Sequence, residues 1–371
     1  MNKVTTVQLL RSPEGGIRKH VVDILENLPA DSYHKIFISS FADSDRNLDY
    51  LRSKFNVEFL NISIKDKPEF KDLLNIFKIY NYLKNKENII LHGHGAKGGV
   101  YARICSLLLR CPTLYTPHGG SLHRVFGKFK SLIYDTIERM LIPLTDKFVF
   151  ESKYSANEFK KYVGNFSQKE VINYNGVSFP DSSKTEVYKS GDTMKLASFG
   201  LLRQLKGHDI VIDALALLAK EGIDFTYTIY GYGQEYENLM LKIRNYKLED
   251  KVRIEKYTDD ILARMSECDV VIHPSRFESF GYVPVEAMSI KIPVITSFEG
   301  GLKEVAVDGG SFICKSNTAE EYASIIRRIF KGDHDLVNIV EHAYKSSKQK
   351  FSVEVMVREL DSIYRKLSHE K

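Results

Sequence analysis

Apolar residues along the chain fall in short runs separated by longer amphipathic segments, which is typical of alternating strands and helices. Helical patterns include Ile17–Leu28, with its apolar residues on one face, and His208–Lys220, which stops at Gly222. The strand-like runs are Val4–Leu10, Lys35–Ser40, Asn88–His92, Thr113–Thr116, Lys147–Glu151, Glu170–Tyr174, Met194–Gly200, Phe225–Gly231, Val252–Glu255, Asp269–Pro274, Lys291–Ser297 and Ser311–Ile313. Many are continuous Val, Ile and Phe runs, as in parallel strands covered on both faces. The pattern predicts α/β, doubly wound sheets.

The rhythm of strands and helices breaks once and then restarts. Phe179–Thr193 is rich in Pro, Asp, Ser, Lys and Gly and has no apolar periodicity. A chain of 371 residues also suits two domains. We therefore predict Rossmann-like domains over residues 1–178 and 179–352. Because ligands of such sheets bind at the carboxyl ends of strands, we expect the site in the cleft between the domains.

Composition excludes several classes of protein. With 43% hydrophobic and 27% charged residues, the chain is not a long disordered protein. No apolar run approaches the ~18–20 residues that cross a bilayer, and the N-terminus reads as a strand and not as a signal peptide. The four cysteines form no C-x-x-C pair. These features predict a cytoplasmic protein.

Positive charge is concentrated in the first half. Residues 1–180 hold 26 Lys and Arg against 18 Asp and Glu, whereas residues 181–371 hold 27 against 30. The excess is greatest over 51–150, with 16 basic and 8 acidic residues. This balance favours an anionic partner such as a membrane surface, although solubility explains it equally well. No nucleic-acid-binding module accompanies the charge, so we predict no nucleic-acid partner.

The strongest candidate site is the segment 276–288, RFESFGYVPVEAM, which follows a buried strand. Pro284 suits the first position of a helix, so we expect Glu286 in the first turn and Glu278 on the preceding loop. Carboxylates accept hydrogen bonds from sugar hydroxyls, and a helix N-terminus can hold phosphate. The alternative is that an acidic residue there only stabilises the helix dipole.

Two other loops follow predicted strands. The segment 199–208, FGLLRQLKGH, places Arg203 and Lys206 where they can neutralise a diphosphate. The segment 14–17, EGGI, allows a close backbone approach to an anion at a helix start. The alternatives are a solvated basic loop and a tight turn.

Several histidines lie near strand ends. His118, in the segment YTPHGG at 115–120, can hydrogen-bond a substrate or move a proton, but His92 and His94 lie in a similar position. The segment 93–98, GHGAKG, matches the dinucleotide fingerprint G-x-G-x-x-G. That fold needs an acidic residue about 20 positions on, and none occurs between Glu87 and Asp135. We therefore reject a nicotinamide cofactor.

Taken together, these strings resemble glycosyltransferase family 4, retaining enzymes with the two-Rossmann-domain GT-B fold. The segment from Glu278 to Glu286 is similar to the family's E-x7-E element, and the segment 269–275, DVVIHPS, to its D-V-x-x-x-P-S string. Pro293–Ile295, Gly300–Glu304 and Asn175–Val177 fit the family pattern too. The resemblance covers nearly the whole chain.

The resemblance implies roles for single residues. Glu286 would bind the nucleotide ribose, and Glu278 would contact the donor sugar. Arg203 and Lys206 would bind the diphosphate, and His118 would face the sugar from the N-terminal, acceptor-binding domain. Gly16 would let that domain close on the same diphosphate. The remaining donor-binding positions, whose backbone would hold phosphate or sugar oxygens, are Ser279, Phe280, Gly281 and Tyr282. A C-terminal helix at about 353–371 would pack back on the N-terminal domain.

The chain departs from the family pattern at one place. The common string has arginine directly after glycine, where this chain has Leu201, and Arg203 comes two residues later. Lys206 is therefore the safer candidate for the diphosphate. No D-x-D string lies at a strand end, and Asp43–Asp45, which has the letters, lies in a polar loop, so we expect no metal and no cofactor besides the donor co-substrate.

The resemblance implies transfer of a hexose from a nucleoside-diphosphate sugar to a saccharide, with UDP favoured over GDP, in bacterial surface polysaccharide assembly. The basic, aromatic segment His123–Lys130 and the helix-like segment Phe70–Lys86 suggest a polyprenyl-diphosphate-linked acceptor and peripheral binding to the inner membrane. A helix packed in the core is the alternative for the second segment. A non-catalytic nucleotide-sugar-binding protein and a phosphorylase remain alternative functions on the same fold. The donor sugar, linkage and oligomeric state stay open.

Overall fold

The computed structural model describes residues 3–11, 15–41, 46–65, 67–119, 128–181, 186–256, 258 and 260–369, and the side chains of these ranges except those of 46–48, 51 and 128–130. The chain divides into two compact units. Unit 1 comprises residues 1–176 and 353–371, and unit 2 comprises residues 177–352.

Unit 1 is built on a parallel sheet with helices between its strands. Its strands are β1 (Val4–Leu10), β2 (Tyr33–Ser39), β3 (Val57–Asn61), β4 (Ile89–His94), β5 (Thr113–Thr116), β6 (Lys147–Phe150) and β7 (Glu170–Ile172). Its helices are α1 (Gly15–Asn27), α2 (Arg46–Phe55), α3 (Lys71–Leu83), α4 (Gly95–Leu109), α5 (Lys128–Leu141) and α6 (Lys153–Val163). The described strands follow the order β3-β2-β1-β4-β5-β6-β7.

Unit 2 repeats this plan. Its strands are β8 (Met194–Phe199), β9 (Phe225–Tyr230), β10 (Val252–Glu255), β11 (Val270–His273), β12 (Val294–Ser297) and β13 (Phe312–Cys314), in the order β10-β9-β8-β11-β12-β13. Its helices are α7 (His208–Lys220), α8 (Tyr236–Asn245), α9 (Ile261–Ser266), α10 (Tyr282–Ser289), α11 (Leu302–Val305), α12 (Ala319–Phe330) and α13 (Leu336–Phe351). The predicted doubly wound α/β fold is confirmed.

The chain returns to unit 1 after α13. The last helix, α14 (Val353–His369), buries Met356, Leu360 and Tyr364 against Ile24 and Ile90 of unit 1. Phe351 and Val353 lie on either side of the division, so Ser352 is the last residue of unit 2. The core of unit 1 is thus completed by residues from the far end of the sequence.

Both strand orders reverse direction once, and this reversal locates the candidate sites. In unit 1 the reversal lies between β1 and β4, and in unit 2 between β8 and β11. The loops that leave two such strands diverge to opposite faces of the sheet and open a crevice at the carboxyl edge. The motifs singled out in the sequence follow β1, β4 and β5 in unit 1, and β8 and β11 in unit 2.

Candidate functional site

Two loops meet at the strand reversal of unit 2. The loop after β8 carries Lys206 in a short 3₁₀ turn, and Gly207 ends that turn with a left-handed φ of +71°. A Cβ at Gly207 would collide with the carbonyl oxygen of Pro274, which follows β11. Glycine is required here because it allows both the left-handed conformation and the close approach. The loop of Lys206 is thereby held against the loop of Glu278.

Glu278 is the centre of a partly buried polar cluster. Its Oε1 atom pairs with Lys206 Nζ and also accepts hydrogen bonds from His273 Nε2 (3.0 Å) and Ser275 Oγ (3.2 Å). His273 and Ser275 are buried at the end of β11, and Lys206 reaches them from the other loop. The other carboxylate oxygen, Oε2, makes no hydrogen bond to the described residues. It can therefore accept a hydrogen bond from a ligand hydroxyl.

The charges of this cluster are fixed by its surroundings. Burial alone would raise the pKa of Glu278, but the charge of Lys206 and the hydrogen bond from His273 outweigh it and hold the pKa far below its usual range. Burial lowers the pKa of His273, and the hydrogen bond and charge of Glu278 only partly offset this. At neutral pH the cluster therefore contains a carboxylate, an ammonium and a neutral imidazole.

Arg276 braces the two loops. Its guanidinium pairs with both carboxylate oxygens of Asp209 (2.8 and 2.7 Å) and donates to the Gln204 carbonyl (2.6 Å). Its backbone N–H donates to the Leu205 carbonyl (2.8 Å). A bidentate pair of this kind fixes orientation as well as distance. Arg276 thus keeps the turn of Lys206 in place from the side of Glu278.

The helix after Glu278 starts earlier than predicted. α10 begins at Tyr282 behind Gly281 (φ +104°), so Pro284 is its third residue and Glu286 its fifth. Glu286 is buried and lies beyond the first turn, so the predicted first-turn position was wrong. A left-handed glycine before the helix allowed this earlier start. The N-cap residue of α10 is Gly281, which has no side chain to accept a hydrogen bond from the first N–H groups of the helix, and such N–H groups are the donors that an anion site uses.

The other donor-site candidates take different positions. Ser279 and Phe280 complete the loop, and the Phe280 ring is buried against Tyr282 and Phe351, leaving only its backbone for a ligand. Arg203 is exposed at the start of the 3₁₀ turn, and its guanidinium makes no hydrogen bond or ion pair with the described residues. It lines a shallow cavity of about 140 Å³ with His208 and Glu235.

In unit 1, the histidines near the strand ends gather. His94 Nδ1 lies 2.9 Å from His118 Nε2, and His20 of α1 stands edge-on to both rings. His118 is partly exposed and adopts a left-handed backbone (φ +54°), whereas His20 and His94 are buried. Gly16 lies exposed in the first turn of α1. Sequence reasoning missed His20 because a single histidine inside an amphipathic helix gives no signal.

Among the described residues, His20, His94 and His118 are the group whose ring nitrogens, all within 4.8 Å, could ligate a metal ion. Two ring nitrogens on one tetrahedral zinc, each at ~2.0–2.1 Å from the ion, would lie ~3.3 Å apart. The 2.9 Å separation of His94 and His118 is instead that of a hydrogen bond. The trio fits a hydrogen-bonded cluster better than a metal centre, and metal independence stays a prediction.

The rejected dinucleotide match has a packing explanation. A Cβ at Gly98 would meet the backbone of Leu9 and Leu10 on β1, and one at Gly99 would meet the Tyr115 ring. These glycines let α4 lie directly on the sheet. Glu14, Asp43–Asp45 and the segment 123–127 lie outside the described residues, as do the side chains of 128–130.

α3 has apolar residues on both of its faces. Ile76, Ile79 and Leu83 are buried in the core. On the outer side, Leu73, Leu74 and Phe77 are each about 60% exposed, and Phe70, just before the helix, is 80% exposed. The predicted alternative, a helix packed in the core, therefore describes the inner side of α3, while its solvent-exposed outer side is apolar. In the described part of the chain, no helix is both long and apolar enough to cross a membrane.

Comparisons with known proteins agree with this architecture. Residues 14–179 match the family model Glycosyltransferase Family 4, and residues 182–346 match Glycosyl transferases group 1. An uncharacterized glycosyltransferase of Methanocaldococcus jannaschii is 27% identical over 368 residues, 95% of each chain. The O-antigen biosynthesis glycosyltransferase WclY of Escherichia coli is 30% identical over 220 residues, 56% of this chain and 60% of that one.

A solved structure shares the fold over nearly the whole chain. Anabaena HepE, crystallised with UDP and glucose, has a TM-score of 0.80 at 21% identity and covers 98% of this chain and 99% of its own. The expected GT-B fold is thereby confirmed.

Proposed function

We propose that this chain, a GT-B glycosyltransferase of the family 4 type, transfers a hexose from a nucleoside-diphosphate sugar to a saccharide acceptor with retention of configuration. The observation that carries the proposal is the cluster of Lys206, Glu278 and His273 beside the uncapped start of α10. It offers cationic and amide donors for a diphosphate next to a carboxylate for sugar hydroxyls. UDP is the favoured nucleotide, and the structure of HepE with UDP and glucose supports this choice.

Each residue of the cluster has a separate task in this proposal. Lys206 uses one of its three N–H donors on Glu278, which leaves others for the diphosphate. The Glu278 Oε2 atom accepts from a sugar hydroxyl, and Glu286 binds the ribose. Arg203, unpaired among the described residues, adds a positive charge to the same loop. In unit 1, His118 contacts the sugar.

The chemistry requires stabilisation of a leaving group more than activation of a nucleophile. The bond between the anomeric carbon and the diphosphate oxygen breaks, and a bond to the acceptor oxygen forms on the same face. The acceptor's hydroxyl proton passes to the departing diphosphate. Lys206, Arg203 and the amides at Gly281 and Tyr282 stabilise the negative charge that develops there, and removal of one such donor can cost ~10²–10³ in rate.

We also propose that unit 1 binds the surface of an anionic membrane, where a lipid-linked acceptor would be found. The support is the outer stripe of α3 formed by Phe70, Leu73, Leu74 and Phe77, which repeats at i, i+3, i+4 and i+7. Lys71 and Lys78 are exposed on the same helix, and residues 51–150 carry a net positive charge. Apolar side chains flanked by lysines suit insertion among anionic headgroups.

A donor panel tests the function. The full chain is incubated with UDP- and GDP-hexoses, and release of the nucleoside diphosphate is measured with and without a metal chelator. We expect release from a UDP-hexose that the chelator does not change. Donor binding without release would favour the non-catalytic alternative, and formation of sugar phosphate from inorganic phosphate would favour a phosphorylase. Loss of release with chelator would contradict metal independence.

A further inference from the structure

A line of hydrogen-bonded side chains runs through the interior of unit 1, from His118 through Tyr364 of the last helix to Thr116. We call it the buried polar line. It consists of the contacts His118 Nε2–His94 Nδ1 (2.9 Å), His94 Nε2–Gln8 Oε1 (2.8 Å), Gln8 Nε2–Tyr364 Oη (3.0 Å), Tyr364 Oη–His92 Nδ1 (2.7 Å) and His92 Nε2–Thr116 Oγ1 (2.8 Å). Gln8, His92, His94 and Tyr364 are each at most 1% exposed. The interior of the line is therefore shielded from bulk solvent.

The position of each proton follows from the amide of Gln8. A carbonyl oxygen only accepts, so His94 Nε2 carries a hydrogen and donates it to Gln8 Oε1. In a neutral ring the other nitrogen is then bare, and His94 Nδ1 accepts from His118 Nε2–H. By the same reasoning His118 Nδ1 is bare. His118 thus presents a lone pair on its second nitrogen.

The rings are neutral because they are buried together. Burial lowers the pKa of His94, and the neighbouring His92, His118 and His20 lower it further. Burial, His20 and His92 do the same for the pKa of His118. Only burial and the neighbouring rings act on the pKa values of His94 and His118, and both disfavour a positive charge there.

The Gln8 amide continues the line to Tyr364 of α14. The amide NH₂ donates to Tyr364 Oη, and the tyrosine hydroxyl donates in turn to His92 Nδ1. His92 Nε2–H then donates to Thr116 Oγ1. A reversed amide would reverse every donor along the line and place the hydrogen of His118 on Nδ1. The orientation of one buried amide therefore decides whether His118 accepts or donates.

We propose that Gln8, His94 and Tyr364 are positioning residues that hold His118 in the tautomer whose Nδ1 accepts a hydrogen bond from a hydroxyl of the substrate. This inference rests on the proposed function only for the contact between His118 and the sugar. A bare ring nitrogen attracts a hydroxyl and repels a carboxylate or phosphate oxygen, since both carry lone pairs. The buried polar line would thus favour a neutral sugar over an acidic one at this position.

The tautomer can be read directly in the free protein. The full chain is labelled with ring-¹⁵N histidine, and long-range ¹H–¹⁵N correlation spectra at neutral pH distinguish a protonated ring nitrogen from a bare one. His118→Gln and His94→Asn assign the signals by their disappearance. We expect protonated Nε2 and bare Nδ1 at both positions. Protonated Nδ1 at His118 would overturn the proposal, whether or not the protein is a transferase.

Variants test the positioning role. We expect Tyr364→Phe to give a second set of His118 signals and to reduce kcat/KM by about 2- to 13-fold, the loss of one neutral hydrogen bond. The matched control is Tyr33→Phe, which removes another tyrosine hydroxyl that bonds α14, through Asp361 (2.6 Å), outside the line. An equal loss in both variants would show a merely structural role.

Two substitutions of His94, one conservative and one not, test the proposal if Tyr364→Phe does not fold. Asparagine at 94 offers a carbonyl oxygen near the place of Nδ1 and can still accept from His118, whereas His94→Leu cannot. We expect His94→Asn to retain the His118 tautomer and most of the activity, and His94→Leu to lose both. Equal tautomer populations in the two variants would refute the proposal. Inactive wild-type protein with the expected tautomer would instead refute the proposed function alone.

Discussion

Lys206 keeps Glu278 ionised inside the protein, and this pairing makes the two residues interdependent. The carboxylate is partly buried on the loop after β11, where desolvation opposes its charge, and the charge of Lys206 is the largest of the influences that lower its pKa. Removal of the cation leaves an uncompensated buried charge or a neutral acid. The structure therefore links the residue proposed to hold the diphosphate to the one proposed to hold the sugar.

Lys206→Ala should abolish transfer while the fold stays intact. We expect kcat to fall by about 10²–10³ because both the diphosphate and Glu278 lose their cation. Glu286→Ala should lose transfer too, through weaker binding of the nucleotide. Far-UV circular dichroism and donor turnover are measured together, with Lys220→Ala at the exposed end of α7 as the control. Normal turnover in Lys206→Ala would contradict its assigned role.

His20 should make unit 1 less stable in acid. Burial lowers the pKa of His20 from 6.5 to about 4, so the unfolded chain binds its proton first as the pH falls. Above pH 6.5 the ring is neutral in both states and does not affect the free energy of unfolding. Between pH 6.5 and about 4 the free energy of unfolding falls by up to roughly 1.4 kcal/mol per pH unit. The free energy of unfolding is measured in urea at pH 7.5 and at pH 5.0. In His20→Phe it should differ less between the two pH values than in the wild-type protein. A substitution at exposed His369 should leave that difference unchanged.

The residues of the buried polar line show what spacing in a sequence does not reveal. Lys206, Glu278 and His118 follow strand ends, so the rule that ligands bind at carboxyl edges was enough to single them out. Gln8 and His94 are 86 positions apart and meet because β1 and β4 are neighbours in the sheet. The strand order was not predicted, so neither was their contact. His273 was quoted within a motif, but its contact with Glu278 depends on the turn between them.

At the scale of elements, most strand ends were predicted to within two residues, and the differences have local causes. β3 was missed because Val57–Asn61 is a half-exposed edge strand with Glu58 and Asn61 breaking its apolar run. α10 was placed two residues late because Pro284 was taken as its first residue. Helix α4 also contributes a buried ion pair to unit 1. Its Arg103 is wholly buried, pairs with Glu138 of α5 (2.7 Å) and lies over the Tyr115 ring.

Removal of one partner of the Arg103–Glu138 pair should lower the free energy of unfolding strongly, whereas replacement of both partners by apolar residues should lower it little. Glu138→Ala leaves a buried guanidinium without its carboxylate, and we expect a loss of about 3–5 kcal/mol in the free energy of unfolding. The double variant Arg103→Met, Glu138→Leu should recover most of this loss, since an apolar pair carries no desolvation penalty. Urea unfolding followed by circular dichroism measures both. A double variant as unstable as the single one would argue against this explanation.

At the scale of the whole molecule, charge and apolar exposure are concentrated in the same unit. Unit 1 contains the basic stretch 51–150 and the outer stripe of α3, whereas residues 181–371 have slightly more acidic than basic residues. The sequence predicted the charge difference and the helix, but not that Leu73 and Phe77 lie on its outer side. Helical periodicity alone does not tell which of two apolar faces is buried.

Replacement of the stripe should weaken membrane binding without changing the fold. Leu74→Glu with Phe77→Glu removes two insertable side chains and adds repulsion from anionic lipid, so binding should fall at least 10-fold. Cosedimentation with vesicles of phosphatidylglycerol and phosphatidylcholine measures it, with Leu241→Glu on α8 as the control. Equal binding of wild-type protein to purely neutral vesicles would contradict the proposal. If the wild-type protein dimerises with increasing concentration and the double variant does not, the outer stripe of α3 binds a second copy of the chain instead of a membrane.

The return of α14 to unit 1 has a consequence for biosynthesis. The ribosome synthesises every residue of unit 2 before it synthesises α14, the helix that covers Ile24 and Ile90. Part of the core of unit 1 is therefore uncovered at a time when unit 2 can already fold. A nascent chain stopped after Ser352 would expose that apolar surface to chaperones and proteases. Unit 1 can complete its core only after the 17 residues of α14 have been translated, because only then can Tyr364 contact Gln8. Incomplete chains would thereby be distinguished from complete ones.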